Sequence, residues 1–186
     1  MKRLFDILVA APLAILLAPV LLAVALAVRW TSPGPALFRT QRVGRNNQLF
    51  TMYKFRTMRT DTPQVATHLL ENPAQFLSPV GGFLRRTSLD ELPQVFNVLR
   101  GDMSLVGPRP ALFNQHDLVT LRTERGVHEL VPGITGWAQI NGRDELAIPD
   151  KVALDEEYLR RRGLVFDLQI LFLTAWKAVH GSGVSH

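Results

Sequence analysis

The sequence predicts an α+β protein in which a long apolar N-terminal helix precedes one compact domain. A run of 22 residues from Ile7 to Val28 contains no charged or polar side chain. Two β-rich runs flank the turn signal GRNN between residues 36 and 58, which is typical of a β-hairpin. Several amphipathic helical segments follow without repeats or a second-domain boundary, so we expect a membrane element at 1–30 and a single domain at 31–186.

The apolar run is long enough to cross a hydrocarbon core as a helix, which takes roughly 20 residues. The residues alone leave three interpretations open. A signal peptide fits Lys2 and Arg3 and an A-x-A site, although the run exceeds the usual apolar length of about 7 to 15 residues. A spanning anchor fits the length, but cations flank both ends, which is typical of cytoplasmic flanks. A re-entrant helix would break at Pro12 or Pro19, because proline removes a backbone donor.

The charge distribution limits the partners. Residues 1–60 carry nine Lys or Arg and one acidic residue, whereas residues 61–186 carry twelve basic and fifteen acidic residues. Positive charge beside an apolar run suits anionic lipid headgroups or a phosphate-bearing ligand. No nucleic-acid partner is indicated, because no DNA- or RNA-binding module is present. The chain has no cysteine, and its five histidines lack metal-ligand spacing, which argues against thiolate chemistry and structural zinc.

The elements after the hairpin are predicted in chain order. Residues 61–80 should form a surface excursion with a short helix in QVATHLLEN. A helix follows Asp90 and ends near Arg100, where Gly101 supplies the C-cap. The remaining predictions are a helix from Pro110 to Gly126, a short strand in WAQI, a helix from Pro149 to Arg162 and a last helix from Phe166.

The stretch TSLDELPQ at 87–94 places two adjacent carboxylates, Asp90 and Glu91, before an apolar helix. Ser88 with Glu91 fits a capping box, whereas Asp90 as the N-cap would put Pro93 in the first turn, where no donor is needed. Both registers stay open. Taken alone, the pattern is typical of helix capping.

A later acidic run, Asp155 to Glu157, precedes Arg160, Arg161 and Arg162 at helical spacing, so we expect a solvated face with ion pairs. Tyr158 should lie in the core.

Several cations lie near short, stiff turns and together indicate diphosphate binding, because guanidinium groups match phosphate oxygens and lysine supplies a mobile charge. An aspartate among them could bind Mg²⁺, which takes one or two carboxylates plus substrate phosphates. These cations are Lys54, Arg56, Arg85, Arg86 and Arg109.

At TSLDELPQVFNVLRGDMSLVGPRP the sequence resembles the bacterial sugar transferase family, the monotopic polyprenyl-phosphate phosphoglycosyl transferases. The resemblance covers nearly the whole chain, and the length is similar to that of the minimal members. Its further blocks, in order, are KRLFD, FRTQRVG, YKFRTM, PGITGWAQINGR and DLQILFLTAWK. Two departures are Ala18-Pro19 where many members have Ser-Pro, and a hairpin turn without the glycine often found there.

The resemblance implies that Asp90 attacks the phosphate next to the sugar of a UDP-sugar, releases UMP and carries a phosphosugar. Polyprenyl phosphate, typically undecaprenyl phosphate, would then take the phosphosugar to give a polyprenyl diphosphate sugar. Glu91 would assist Mg²⁺ binding or handle a proton, and Asp90 would contact the Mg²⁺. Arg85 would organise the acidic pair, and Lys54 and Arg109 would contact phosphate.

The resemblance also implies a re-entrant helix with both ends on the cytoplasmic face of the bacterial inner membrane. The catalytic domain, residues 31–186, would then lie at the phospholipid interface. A homodimer is compatible with such a protein. Two rival interpretations are a secreted carboxylate-pair hydrolase released by signal cleavage and a non-catalytic membrane module in which Asp90 only caps a helix. The sequence does not indicate which sugar is transferred.

Overall fold

A computed structural model describes residues 1–62, 73–142 and 146–180 of the chain. Its first element is the helix α1 (Lys2–Thr31). The most apolar 18-residue window of α1 has a mean hydropathy of 2.8, and 11% of that window is buried. This helix is therefore long and apolar enough to cross a membrane, and it is not enclosed as a core helix would be. It runs through Pro12 and Pro19 without interruption, so the predicted break is not confirmed.

One face of α1 packs on the rest of the protein near both of its ends. Ala10 belongs to a core cluster with Val98, whereas Val28 belongs to a second cluster with Phe55 and Leu84. The opposite face leaves large apolar side chains exposed, among them Leu4, Leu8, Ile15, Leu16, Leu22 and Trp30. The helix thus has one protein-facing stripe and one apolar outer face.

The first turns of α1 are tied to the helix that follows the acidic pair. Arg3 donates hydrogen bonds to last-turn carbonyls of α3 (Gln94–Arg100), at 2.7 Å for Leu99. Such carbonyls have no partner within their own helix, and a cation there is favourable. Asp6 is buried and accepts from the Ser104 hydroxyl at 3.0 Å and from the next backbone amide at 3.1 Å. Helix α1 therefore contacts α3, the helix that follows the acidic pair Asp90 and Glu91.

The predicted hairpin is confirmed. Strands β1 (Leu37–Val43) and β2 (Leu49–Phe55) pair antiparallel, and β4 (Ala111–Leu112) adds to the other edge of β1. Asn46 and Asn47 take left-handed conformations in the turn, with φ of 54° and 59°. Asparagine tolerates this region better than most residues, so the turn forms without glycine at either position.

A second, parallel sheet joins β3 (Ser104–Val106) to β5 (Gly133–Thr135). The loops that follow these two strands approach each other backbone to backbone. A Cβ on Gly107 would lie 2.4 Å from the carbonyl oxygen of Val131, and a Cβ on Gly136 would lie 2.1 Å from that of Gly107. Any side chain at either glycine would push the loops apart, so these glycines fix the shape of the GPRP segment.

The remaining described α-helices include three that the sequence predicts and two, at 81–86 and 137–140, that it does not. They are α2 (Gly81–Arg86), α4 (His116–Glu124), α5 (Trp137–Ile140), α6 (Ile148–Arg161) and α7 (Leu164–His180). The two last predicted helices are confirmed within two residues. So is the end of α3, where Gly101 takes a φ of 96°.

Two predictions are wrong. The helix does not begin at Pro110, because residues 111–112 pair with β1 and α4 starts only at His116. The WAQI segment is helix α5, and the strand lies just before it at 133–135. The predicted helix in QVATHLLEN lies outside the described residues.

Candidate active site

The acidic pair lies in a short 3-10 helix, Leu89–Glu91, just before α3. Ser88 takes a left-handed conformation, with a φ of 55°, and its side chain makes no capping hydrogen bond. Neither Ser88 nor Asp90 is the N-cap of α3, since Pro93 occupies that position, and Ser88 is instead the N-cap residue of the 3-10 helix. Proline suits that position because its φ is fixed near the helical value and its missing N–H needs no partner there. The carboxylates therefore do not act as side-chain caps.

Asp90 is a buried carboxylate, with 7% of its surface exposed. Burial raises its pKa above the ordinary value for aspartate, and the neighbouring charge of Glu91 adds to the rise. The charges of Lys54 and Arg85 oppose this shift but do not cancel it. These cations thus favour the ionised form of Asp90, whereas the net shift of its pKa is upward.

Two of the cations predicted to bind phosphate lie beside the Glu91 carboxylate. The Lys54 ammonium donates to its Oε1 at 2.7 Å, and the Arg109 guanidinium lies 4.0 Å from the same oxygen. The Lys54 and Glu91 side chains are only 18% and 15% exposed, so their charges are screened little by water. The structure therefore brings Lys54 and Arg109 together around Glu91, the residue next to Asp90.

Arg85 approaches the pair from α2. Its Nε donates to the Thr57 hydroxyl at 3.0 Å, and its charge acts on Asp90. Burial lowers the pKa of Arg85, and Asp90 partly restores it. Arg56 serves elsewhere, since it donates to the carbonyls of Ser32 and Pro33 just after α1. Of the five predicted cations, Arg56 is thus a structural residue, and Arg86 is exposed.

A fully buried asparagine, which the sequence reading missed, fixes the strand that carries Lys54. Asn97 on α3 accepts from the Tyr53 amide at 3.1 Å and donates to the Thr51 carbonyl at 2.7 Å. These two bonds lock β2 against α3, so Lys54 and the acidic pair are held in a fixed relation. A polar residue inside the apolar run VFNVL was the signal available in the sequence.

The backbone of Arg109 is held by a buried ion pair that the sequence analysis also missed. Arg122 donates to Asp155 Oδ2 at 2.6 and 3.0 Å and to the Arg109 carbonyl at 2.8 Å. Asp155 is 1% exposed, so its predicted place on a solvated face is wrong. Burial raises its pKa, and Arg122 opposes the rise. Helical spacing predicts ion pairs within one helix. It gives no indication that the partner of Asp155 is an arginine on another helix.

The rest of that acidic run is as predicted. Glu156 pairs with Arg160 at 3.1 Å, and Glu157 pairs with Arg161. Tyr158 lies in the core and donates to Asp167 at 2.6 Å. The other carboxylate oxygen of Asp167, Oδ2, accepts a hydrogen bond from the Lys2 ammonium at 2.5 Å.

The donor set of the site fits a hard cation with few protein ligands. Within residues 1–62, 73–142 and 146–180, no three His, Asp or Glu side chains are grouped as metal ligands. Asp90 and Glu91 offer two adjacent carboxylates. Mg²⁺ commonly uses one or two carboxylates and completes its shell with substrate phosphates and water. The residues present therefore fit Mg²⁺ that arrives together with a phosphate-bearing substrate.

Comparison with known proteins decides the family. The sequence profile described as bacterial sugar transferase matches residues 1–181. The chain belongs to this family. The match includes α1, the hairpin and the segment that carries Asp90 and Glu91. It therefore covers both the long apolar helix and the candidate site.

Relatives of the chain carry the names of sugar transferases. The UDP-glucose:undecaprenyl-phosphate glucose-1-phosphate transferase of Escherichia coli (strain K12) is 44% identical over 185 residues, which are 95% of this chain and 40% of that protein. The uncharacterized sugar transferase EpsL of Bacillus subtilis (strain 168) is 42% identical, over 99% of this chain and 90% of its own. The galactosyl transferase CpsE of Streptococcus agalactiae is 38% identical over 81% of this chain and 36% of its own. The chain thus spans well under half the length of two of these relatives.

The buried ion pair under Arg109 predicts an asymmetric effect on stability. Asp155→Ala should lower the free energy of unfolding by about 3–5 kcal/mol, because Arg122 is left buried without its carboxylate. Denaturant unfolding in detergent measures this. The matched change Glu156→Ala, which removes exposed ion pairs, should cost about 1 kcal/mol or less. Combining Asp155→Leu with Arg122→Met should recover part of the loss. Equal effects of Asp155→Ala and Glu156→Ala would contradict the assignment.

Proposed function

We propose that the protein transfers a sugar 1-phosphate from a UDP-sugar to undecaprenyl (polyprenyl) phosphate, giving a polyprenyl diphosphate sugar and UMP. The observation that carries this proposal is the buried carboxylate of Asp90, near the charges of Lys54 and Arg85 and next to Glu91, which Arg109 approaches, in a member of the sugar transferase family. The names of two relatives support the same donor and acceptor classes. Such a step initiates membrane glycoconjugate or exopolysaccharide assembly.

The first half-reaction uses Asp90 as the nucleophile. One of its carboxylate oxygens attacks the phosphorus that bears the sugar, and the bond from that phosphorus to the bridging oxygen breaks. UMP leaves with the bonding electron pair, and a phosphosugar remains on Asp90. A raised pKa makes the ionised carboxylate more basic, and poor solvation leaves less water to remove before attack.

The surrounding cations support this step electrostatically. Lys54 and Arg109 carry positive charge close to the pair, so they can offset the repulsion between Asp90 and a diphosphate. Glu91 contacts both cations, which supports a role in orienting them in addition to assisting metal binding or handling a proton. Bound at Asp90, Mg²⁺ would supply charge neutralisation of the diphosphate.

The second half-reaction returns Asp90 to its starting state. An oxygen of the lipid phosphate attacks the phosphorus of the acyl phosphate, and the bond between Asp90 and phosphorus breaks. The carboxylate is released and a polyprenyl diphosphate sugar forms. The mechanism is ping-pong, because UMP departs before the lipid reacts.

The arrangement of α1 supports a monotopic protein on the cytoplasmic face of the bacterial inner membrane. Arg3 near one end and Val28 near the other both contact the same domain. A helix that crossed the bilayer upright would carry one end away from a domain on one side. The exposed apolar face of α1 suits the hydrocarbon, and cations flank both ends. We therefore propose a re-entrant placement in which both ends of α1 lie on one side of the membrane although the helix is unbroken at Pro12 and Pro19, with catalysis at the phospholipid interface.

Replacing the nucleophile should abolish transfer without unfolding the protein. Asp90→Asn is nearly isosteric but cannot form the acyl phosphate, so UMP release should fall by at least about 1000-fold. The assay incubates UDP-sugars with Mg²⁺ and undecaprenyl phosphate and follows UMP, and thermal unfolding verifies the fold. Asp117→Asn, an exposed change on α4, is the control and should keep full activity. Retained transfer by folded Asp90→Asn would refute the nucleophile.

The pH dependence should follow the environment of Asp90. Since burial raises its pKa, the acid limb of kcat/KM for UMP release should lie above pH ~4, the ordinary range for aspartate. Lys54→Met should move this limb to higher pH, because Lys54 lowers that pKa. Arg39→Met, an exposed change on β1, should leave the limb in place. An acid limb that stays fixed or moves to lower pH in Lys54→Met would contradict the electrostatic assignment.

A further inference from the structure

Gln94 is a nearly buried polar residue one helical turn beyond the acidic pair. It begins α3, and 4% of its surface is exposed. The backbone stays in the right-handed helical region at Leu92 and Pro93, which connect the 3-10 helix to α3. Residues three and four apart on a helical backbone share one face, so Gln94 lies on the same face as Asp90 and Glu91. The proposed function assigns no role to its side chain.

The side chain of Gln94 lines a small cleft together with three cations, each of which has a partner. Lys54 donates to Glu91 at 2.7 Å, and Arg109 lies 4.0 Å from the same carboxylate. Arg42 donates to a loop carbonyl at 3.3 Å. The carboxamide of Gln94 is different, because it makes no hydrogen bond within the part of the chain that the structure describes. The cleft thus contains a neutral polar group whose hydrogen-bonding capacity is unused.

A buried carboxamide without a partner is unusual in a folded protein, because its lost hydration is then not replaced by another hydrogen bond. The carboxamide atoms of Gln94 are not among the fully enclosed side-chain atoms that lack a partner. The small exposed part of the residue therefore includes this carboxamide, and the cleft is the space that it lines. A group placed in this way can bind a partner that enters the cleft from outside the chain.

The size of the cleft limits what this partner can be. The space that a water-sized group could occupy in it is about 10 Å³, which is close to the minimum for one water molecule. Met52, Ile134 and the backbone of Gly133 form part of its wall. A whole phosphate, a sugar ring or a base is too large for this space, whereas a single oxygen atom fits. The partner of the carboxamide is therefore one oxygen of a group that otherwise stays outside the cleft.

We propose that the Gln94 carboxamide donates a hydrogen bond to a non-bridging oxygen of the transferred phosphoryl group, while the phosphorus itself stays at Asp90. This inference rests on the proposed function and adds a substrate-contacting residue to it. When the phosphorus is bonded to Asp90, its other oxygens lie next to the immediate neighbours of that carboxylate, and Gln94 is one turn away. A sugar hydroxyl lies farther from the carboxylate and is the less suitable partner. A donor aimed at a phosphoryl oxygen stabilises the charge that develops there during transfer.

Single-turnover kinetics on the full chain in nanodiscs test this contact in each half-reaction. The first is followed as UMP release from a UDP-sugar with Mg²⁺ and no lipid phosphate, and the second as loss of the phosphosugar from the protein after undecaprenyl phosphate is added. Gln94→Met keeps the side-chain length and removes the carboxamide, so both steps should slow about 10- to 100-fold. Gln94→Glu keeps the shape but replaces the donor by an anion, and should slow both steps at least as much. The exposed change Gln41→Met on β1 is the control and should leave both rates unchanged.

Thermal unfolding separates contact with the substrate from support of the fold. Because the carboxamide has no partner among the described residues of the free protein, Gln94→Met should melt at or above the temperature of wild type. A melting temperature that falls together with the rates would assign Gln94 to the fold and overturn the inference.

The kinetic outcomes separate this inference from the proposed function. Unchanged rates in folded Gln94→Met, with wild type active in both steps, overturn the role of Gln94 alone. Slowing of the second step alone indicates contact with the lipid phosphate and also overturns it. A wild-type protein that releases no UMP from any UDP-sugar overturns the proposed function, and this inference with it. Should Gln94→Met fail to unfold cooperatively, Gln94→Glu gives the same comparison.

Discussion

The burial of the Asp90 carboxylate beside Glu91 is the constraint on which the rest of the site depends. A carboxylate taken from water is costly unless cations or donors compensate it. Lys54 and Arg85 supply compensation, and the pKa nevertheless stays above its ordinary value because burial is the larger effect. The same cations that make burial tolerable are charges that a diphosphate requires. Under the proposed function, stabilising the folded site and binding the donor would draw on one set of residues.

Long-range contacts hold in place the elements that surround this carboxylate. Asn97 locks β2 to α3, the Arg122–Asp155 pair holds the Arg109 backbone, and interlocked glycine loops fix the GPRP segment. Arg3 binds the last-turn carbonyls of α3, whose other end follows the acidic pair. Helix α1 therefore belongs to the same packed unit as the candidate site. A displacement of α1 would therefore move α3, and a movement of α3 would change the position of Asp90.

Local patterns in the sequence predicted much of this protein. The apolar run, the GRNN hairpin and the two C-terminal helices all follow from periodicity and turn chemistry. Glu91, Lys54 and Arg109 were named in advance, and the structure brings them together. Long-range pairing could not be read in the same way. Residues 111–112 became a strand only because β1 offers an edge, and Asp155 was misplaced because its partner lies on another helix.

The covalent step is the central claim, and mass spectrometry of the protein tests it most directly. The full chain is incubated with a UDP-sugar and Mg²⁺ in the absence of any lipid phosphate, quenched and digested. The account predicts a peptide containing Asp90 that is heavier by one sugar phosphate, formed with release of one equivalent of UMP. UMP release without any adduct, or an adduct on a residue other than Asp90, would contradict it.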